Sequence, residues 1–154
     1  MNLEKPIKNF MKKNPLKVGL DESLGGVAKR MSEEKKDVAI VVEPNGVLRG
    51  LITSHDLFQA MQTYVLGKDT IEQIPQEVRD LKVTTIMKGS YTKEFMEACG
   101  LTGTNVCITL GENETIKNAI RVMAITGVDH ILIHGANGVT GTLSDNDLIQ
   151  VFLD

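Results

Sequence analysis

Two short stretches hold the side chains best placed to do chemistry: Gly50-Leu51-Ile52-Thr53-Ser54-His55-Asp56 and Gly141-Thr142-Leu143-Ser144-Asp145-Asn146-Asp147. Both have the form Gly-x-x-(Thr/Ser)-x-x-Asp. Both follow an apolar, strand-like run and an Asn-Gly turn, and both lead into an apolar run of helical character. A strand ending in this pattern sets a hydroxyl and a carboxylate at a helix N-terminus. Backbone N–H groups there lack helical partners and the helix dipole is positive, which suits a phosphate. Two such ends in one chain point to nucleotide binding. The same spacing is that of a helix capping box with Asp in place of Glu or Gln, and a cap alone contributes about 1 kcal/mol.

The other reactive side chains form no catalytic set. No Ser or Cys nucleophile has an adjacent His base, no glycine-rich loop carries the lysine of a P-loop, and no carboxylate pair has an evident substrate cleft. The expected chemistry is binding, and no enzyme activity is expected. His130 and His134 fall on one face of a strand, but a metal site would need further ligands. Cys99 and Cys107 have no zinc spacing and read as small buried hydrophobes. His55 could touch a phosphate or stand exposed on a helix. The cluster Lys8, Lys12, Lys13 and Lys17 could reach a phosphate, with a solvated face as the default reading.

The elements that position the motifs follow from periodicity. Leu3, Ile7, Phe10 and Met11 have helical spacing, so a short helix is expected within 2–11, stopped at Asn14-Pro15. Leu16-Lys17-Val18 reads as a brief strand. Asp21-Glu22-Ser23 opens a helix whose apolar stripe is Leu24, Val27, Ala28 and Met31. Gly25-Gly26 within it costs roughly 1 kcal/mol per glycine relative to alanine, which close packing would explain. Val38-Ala39-Ile40-Val41-Val42 is a strand buried on both faces. Pro44-Asn45-Gly46 turns the chain into a return strand over 47–53, and 57–66 is a second helix.

This β-α-β-β-α unit occurs twice. Offset by 92 residues, Gly19 meets Gly111, Glu22 meets Glu114, Met31 meets Met123 and Asp37 meets Asp129. Asn45-Gly46-Val47 meets Asn137-Gly138-Val139 before one residue is lost, and Gly50, Asp56 and Leu57 then meet Gly141, Asp147 and Leu148. The division is residues 1–66 as the first repeat with its leading segment, 67–103 as linker and insertion, and 104–154 as the second repeat. One unit cannot cover its sheet alone, so the expected fold is α/β (α+β), two repeats packed sheet to sheet about a pseudo-two-fold axis. Between them, 70–81 is expected to be helical from Pro75 onward. A short helix over 92–99, with Phe95, Met96 and Cys99 on one face, reads as a surface insertion more readily than as a lid.

The 154 residues are 42% hydrophobic and 24% charged with a net charge of -3, ordinary for a globular chain. The acidic balance argues against nucleic acid, which would need a basic face. Residues 1–10 lack the apolar core of a signal peptide, and no run is long enough to span a bilayer. A cytoplasmic location with no membrane partner follows as the expectation.

The element order and the two motifs together resemble a tandem pair of CBS domains, also called a Bateman module, over nearly the whole chain. The resemblance implies a regulatory module binding an adenosyl ligand (AMP, ADP, ATP or S-adenosylmethionine) in clefts between the repeats, with no obligatory cofactor. It implies a homodimer and, with no effector domain fused, signalling to a separate partner protein. Carried onto this chain, the ligand residues are Thr53, His55 and Asp56, and Ser144, Asn146 and Asp147. The carboxylates would hold ribose hydroxyls, and the hydroxyls and helix N–H groups would face phosphate. Val38, Ala39 and Ile40, with His130, Ile131 and Leu132, would form the adenine walls. Many family members have proline where Ile40 and Leu132 stand, and a basic residue where His55 and Asn146 stand. Asp145 beside the second motif should repel a polyphosphate, so that site is expected to be the poorer one for ATP. A structural or interaction module with empty clefts is the alternative.

Overall fold

The computed structural model describes residues 3–66, 72–90 and 106–153. The expected helix over 92–99 lies outside these, as do the side chains of Cys99 and Cys107. The chain divides into two compact units, one of residues 16–88 and one of residues 1–15 with 89–154.

In the unit of residues 16–88, Leu16 and Val18 are buried on either side of exposed Lys17 and form strand β2 (Leu16–Gly19), following the two-residue strand β1 (Lys12–Lys13) of the other unit. Helix α1 (Leu24–Glu34) begins at Ser23, whose extended backbone (φ -82°, ψ 157°) brings its Oγ within 3.0 Å of the Gly26 N–H. Leu24, Val27 and Met31, one face of the helix, are buried. Lys35 ends it in the left-handed region (φ 55°). Gly25 is explained by close packing: a Cβ there would lie 3.3 Å from the Arg79 Cβ and 3.4 Å from its carbonyl oxygen. Strand β3 (Val38–Val42) pairs in parallel with β2 and antiparallel with β4 (Leu48–Thr53), which runs into helix α2 (Ser54–Leu66). Helix α3 (Gln76–Arg79) starts after Pro75, as expected, because proline needs no helical N–H partner there. Ala39, Val41 and Ile52 meet Leu16, Val18, Leu24, Val27 and Met31 in the core of this unit.

The other unit repeats this construction. Strand β5 (Lys88–Ser90) pairs in parallel with β6 (Val106–Gly111) through Gly89 and Ser90. Helix α4 (Ile116–Thr126) is capped by Thr115, which accepts from the Asn118 N–H at 3.1 Å, and ends at Gly127 (φ 77°). Strands β7 (His130–Gly135) and β8 (Gly138–Ser144) follow, β7 parallel to β6 and antiparallel to β8. Helix α5 (Asp145–Leu148) is short and passes into a 3-10 turn, Ile149–Leu153. The apolar run after the second motif is therefore not the regular helix expected, and Phe152 and Leu153 are exposed.

The two β-hairpins match in detail. Both ladders slip by one residue, between Val41 and Val42 and between Ile133 and His134, leaving Arg49 and Thr140 as extra residues on the return strands. Leu48 pairs with Val42 as Val139 pairs with His134. Val139 is thus the counterpart of Leu48 and not of Val47, and the missing residue lies in the turn. Turns tolerate deletion because few backbone bonds depend on them. Gly46 (φ 88°) and Gly138 (φ 112°) hold the positive φ that each turn requires.

The leading segment departs from expectation twice. Where a helix within 2–11 is expected, the described residues 3–11 form only a single 3-10 turn, Ile7–Asn9, because Pro6 sits extended (φ -72°, ψ 147°) and forces the residue before it out of helical space. Second, the sequence groups residues 1–15 with the first repeat, whereas they pack with 89–154. Ile7 is fully buried beside Ile116, Ile131 and Leu143, and its N–H donates to the Glu114 carbonyl at 2.8 Å. The segment before the second repeat behaves likewise. Val83 opens a 3-10 turn (Val83–Thr85), is fully buried in the core of residues 16–88, and donates to the Glu22 carbonyl at 2.8 Å. Each repeat is completed by the segment that precedes the other.

Candidate functional site

Each motif folds into a buried hydroxyl–carboxylate box at the junction of a strand and a helix. At the first, the Thr53 N–H donates to Asp56 Oδ2 at 2.9 Å and the Asp56 N–H donates to Thr53 Oγ1 at 3.1 Å. At the second, the Ser144 N–H and Oγ–H donate to Asp147 Oδ2 at 2.9 and 3.1 Å, and the Asp147 N–H donates to Ser144 Oγ at 3.2 Å. Thr53, Asp56, Ser144 and Asp147 are all buried. The capping reading is therefore realised at both motifs, and one carboxylate oxygen of each Asp is engaged within its own turn.

The boxes are fixed to the middle strands by matching bonds. The Ser54 N–H donates to the Asp37 carbonyl at 2.9 Å, and the Asp145 N–H to the Asp129 carbonyl at 3.0 Å. Val38 then pairs with Thr53, and His130 with Ser144. The structure thus brings the start of each expected adenine wall beside its own repeat's motif. Alternation sorts the wall residues. Ala39 and Ile131 point into the hydrophobic cores, so only their backbone groups can face a ligand. Val38 and Ile40, with His130 and Leu132, lie on the opposite sheet face, which also carries Thr53 and Ser144.

His55 and Asn146 are exposed at the helix starts. Asp145 is exposed, and its Oδ1 accepts from the Asn146 N–H at 2.7 Å. His130 Nδ1 lies 3.0 Å from Asp129 Oδ1. His134 is exposed. Among the described residues, no three His, Cys, Asp or Glu side chains converge on a metal position. Among them too, no helix is long and apolar enough to cross a membrane.

Lys12 is a functional candidate that the motif pattern does not reveal. Its Nζ lies 3.6 Å from Asp147 Oδ1, the carboxylate oxygen outside the capping bonds. Strand β1 holds it there by antiparallel pairing with β8, Lys12 opposite Thr142 and Lys13 opposite Gly141. A signal was present in the sequence: Ile7-x-x-Phe10-Met11-Lys12 matches Val83-x-x-Ile86-Met87-Lys88 in form. It is a leading motif that belongs to each repeat's partner.

Comparison with known proteins agrees with this duplicated architecture. The CBS domain family model matches residues 7–63 and again 103–154. No match was found among curated proteins. Among solved structures, an uncharacterized conserved protein from Pyrococcus horikoshii superimposes with a TM-score of 0.73 at 24% identity, covering 100% of this chain and 96% of that one. The CBS domain pair of protein MJ0100, solved with 5′-methylthioadenosine and S-adenosyl-L-methionine, gives 0.68 at 18% identity over 96% of this chain and 94% of that one. CBSX2 in complex with AMP gives 0.65 at 16% identity over 97% and 96%. At these identities the likeness establishes the fold, and the family model covering both repeats establishes the family. The chain belongs to the CBS domain family, as a tandem pair.

Proposed function

We propose that this chain is a regulatory module that holds an adenosyl compound at the Thr53–Asp56 and Ser144–Asp147 motifs and passes its occupancy to a partner protein. The observation that carries this reading is the duplicated box: a buried carboxylate and hydroxyl at each strand–helix junction, tied by the same backbone bond to the start of a middle strand. A carboxylate so placed is an acceptor for the paired hydroxyls of a ribose. Related pairs have been solved with AMP, with 5′-methylthioadenosine and with S-adenosylmethionine, which supports the ligand class. AMP, ADP, ATP and S-adenosylmethionine are the candidates. The mechanism is a shift between arrangements of the module, limited by the ligand's differential affinity for them. The module acts in the cytoplasm as a homodimer; exposed Phe58, Met61 and Val65 on α2 offer apolar surface for association.

The second reading is an interaction module without a ligand. It is favoured by the internal satisfaction of both boxes, which makes each complete as a helix cap. A thermal-shift panel of AMP, ADP, ATP, S-adenosylmethionine and NADH separates the two. A ligand at about 100 times its Kd adds about 2.7 kcal/mol, a rise of roughly 5–11 °C in a domain of this size. A rise that Asp56→Asn or Asp147→Asn removes supports the sensor and locates the occupied motif. A folded, nucleotide-free protein with no rise for any compound is an interaction module.

A further inference from the structure

We propose that Lys12 is the anion-recognising residue at the Ser144–Asp147 motif, and that this motif takes an adenosyl compound bearing a phosphate in preference to a neutral or cationic one. The inference rests on the adenosyl-binding reading above and adds the charge class of the ligand and the residue that sets it.

The motif itself carries no cation: Asn146 and Asp145 stand between Ser144 and Asp147. The fold supplies one from a distant part of the chain. Lys12 Nζ is 3.6 Å from Asp147 Oδ1, with the Lys12 side chain 50% exposed and that of Asp147 7% exposed. The two ends of the pair are therefore unlike. The carboxylate is fixed by its bonds to Ser144, whereas the ammonium is held only by its stem and has donors to spare. Because the ammonium is half exposed and solvent screens its charge, little opposes re-aiming it when a ribose takes Asp147 Oδ1. Its backbone, by contrast, is closely held. Strand β1 lies so near β8 that a Cβ on Gly141 would come within 2.6 Å of the Lys12 carbonyl oxygen. A flexible cation on a fixed strand beside the ribose acceptor is suited to a phosphate attached to that ribose. Exposed Asp145 opposes a long polyphosphate at the same end, which favours a single phosphate group.

The test measures Kd by calorimetry for AMP, adenosine and S-adenosylmethionine in an Asp56→Asn background, which confines binding to the second motif. Lys12→Met removes the charge and keeps the apolar stem, and Lys12→Arg restores the charge. The expected result is that Lys12→Met weakens AMP about tenfold, the loss of one charge-assisted hydrogen bond, with adenosine changed by less than about twofold. Lys12→Arg recovers most of the AMP affinity, and S-adenosylmethionine is not weakened by Lys12→Met. An equal loss for AMP and adenosine would make Lys12 a structural partner of Asp147 and overturn the inference while leaving adenosyl binding intact. No change for either ligand would overturn it as well. If the unmodified protein binds none of the three compounds, the adenosyl reading fails and this inference with it.

Discussion

The Gly141 Cα lies so close to the Lys12 carbonyl oxygen that a Cβ built there would stand 2.6 Å from it, and 2.8 Å from the Met11 sulfur. The glycine of the second motif is thus required by the passage of β1 and not by its own dihedrals. A Gly141→Ala substitution must push a backbone strand aside. It should destabilise the protein by about 1–3 kcal/mol, the usual cost of overpacking. Gly19, where a Cβ meets nothing within 4 Å, is the control, and Gly19→Ala should be nearly neutral. Urea denaturation of the two variants checks this; equal stabilities would mean that β1 does not lie against Gly141.

Lys35 and Gly127 end α1 and α4 at equivalent positions, both in the left-handed region, with φ 55° and 77°. Only the glycine adopts that conformation without steric cost. Lys35→Gly should therefore stabilise the protein by up to about 1 kcal/mol, although glycine also loosens the unfolded chain. Thermal melts at neutral pH read the effect as a rise of a few degrees, and a fall would show that the strain at Lys35 is negligible.

The reach of sequence reading follows the range of the interactions. Ser23 as a cap, Pro75 as a helix start and Gly46 as a turn residue depend on groups within a few positions, and all were legible. The strand Val38–Val42 was legible because burial on both faces leaves an unbroken apolar run, and the return strand Leu48–Thr53 because the Asn45-Gly46 turn marks where the chain doubles back. The position of Ile7 was not. Its helical spacing with Phe10 and Met11 is real, but those side chains meet a core more than a hundred residues further along the chain. Lys12 shares that origin, since its proximity to Asp147 depends on the same exchange of leading segments. The likeness of Val47 to Val139 in sequence hides the hairpin register, in which Val139 takes the place of Leu48, because only strand pairing reveals it.

The boxes at Thr53–Asp56 and Ser144–Asp147 decide which variants can test binding. Asp56→Ala removes the acceptor of the buried Thr53 N–H and should cost about 1–3 kcal/mol of stability. Asp56→Asn keeps a carbonyl oxygen for that bond while removing the charge and one acceptor, so its cost should be smaller. The same order is expected for Asp147. Denaturation midpoints measure the difference. If Ala and Asn are equally destabilising, the cap bond is not what the carboxylate supplies.

Ile7 and Val83 give the sharpest test of the exchanged segments. Each is fully buried, each opens a 3-10 turn, and each donates its N–H to the carbonyl of a glutamate one residue before a capping Ser or Thr, Glu114 before Thr115 and Glu22 before Ser23. Truncating a buried isoleucine to alanine costs about 2–5 kcal/mol. Ile7→Ala should therefore weaken the unit that contains residues 106–153, although it lies ahead of the first repeat in the chain. Val83→Ala should weaken residues 16–66. Native-state hydrogen exchange resolves the two, because amides report the stability of the unit that contains them. Faster exchange in β6, β7 and β8 for Ile7→Ala, with β2, β3 and β4 less affected, is the expected result. The reverse pattern would return residues 1–15 to the first repeat, and would remove the structural basis for placing Lys12 beside Asp147.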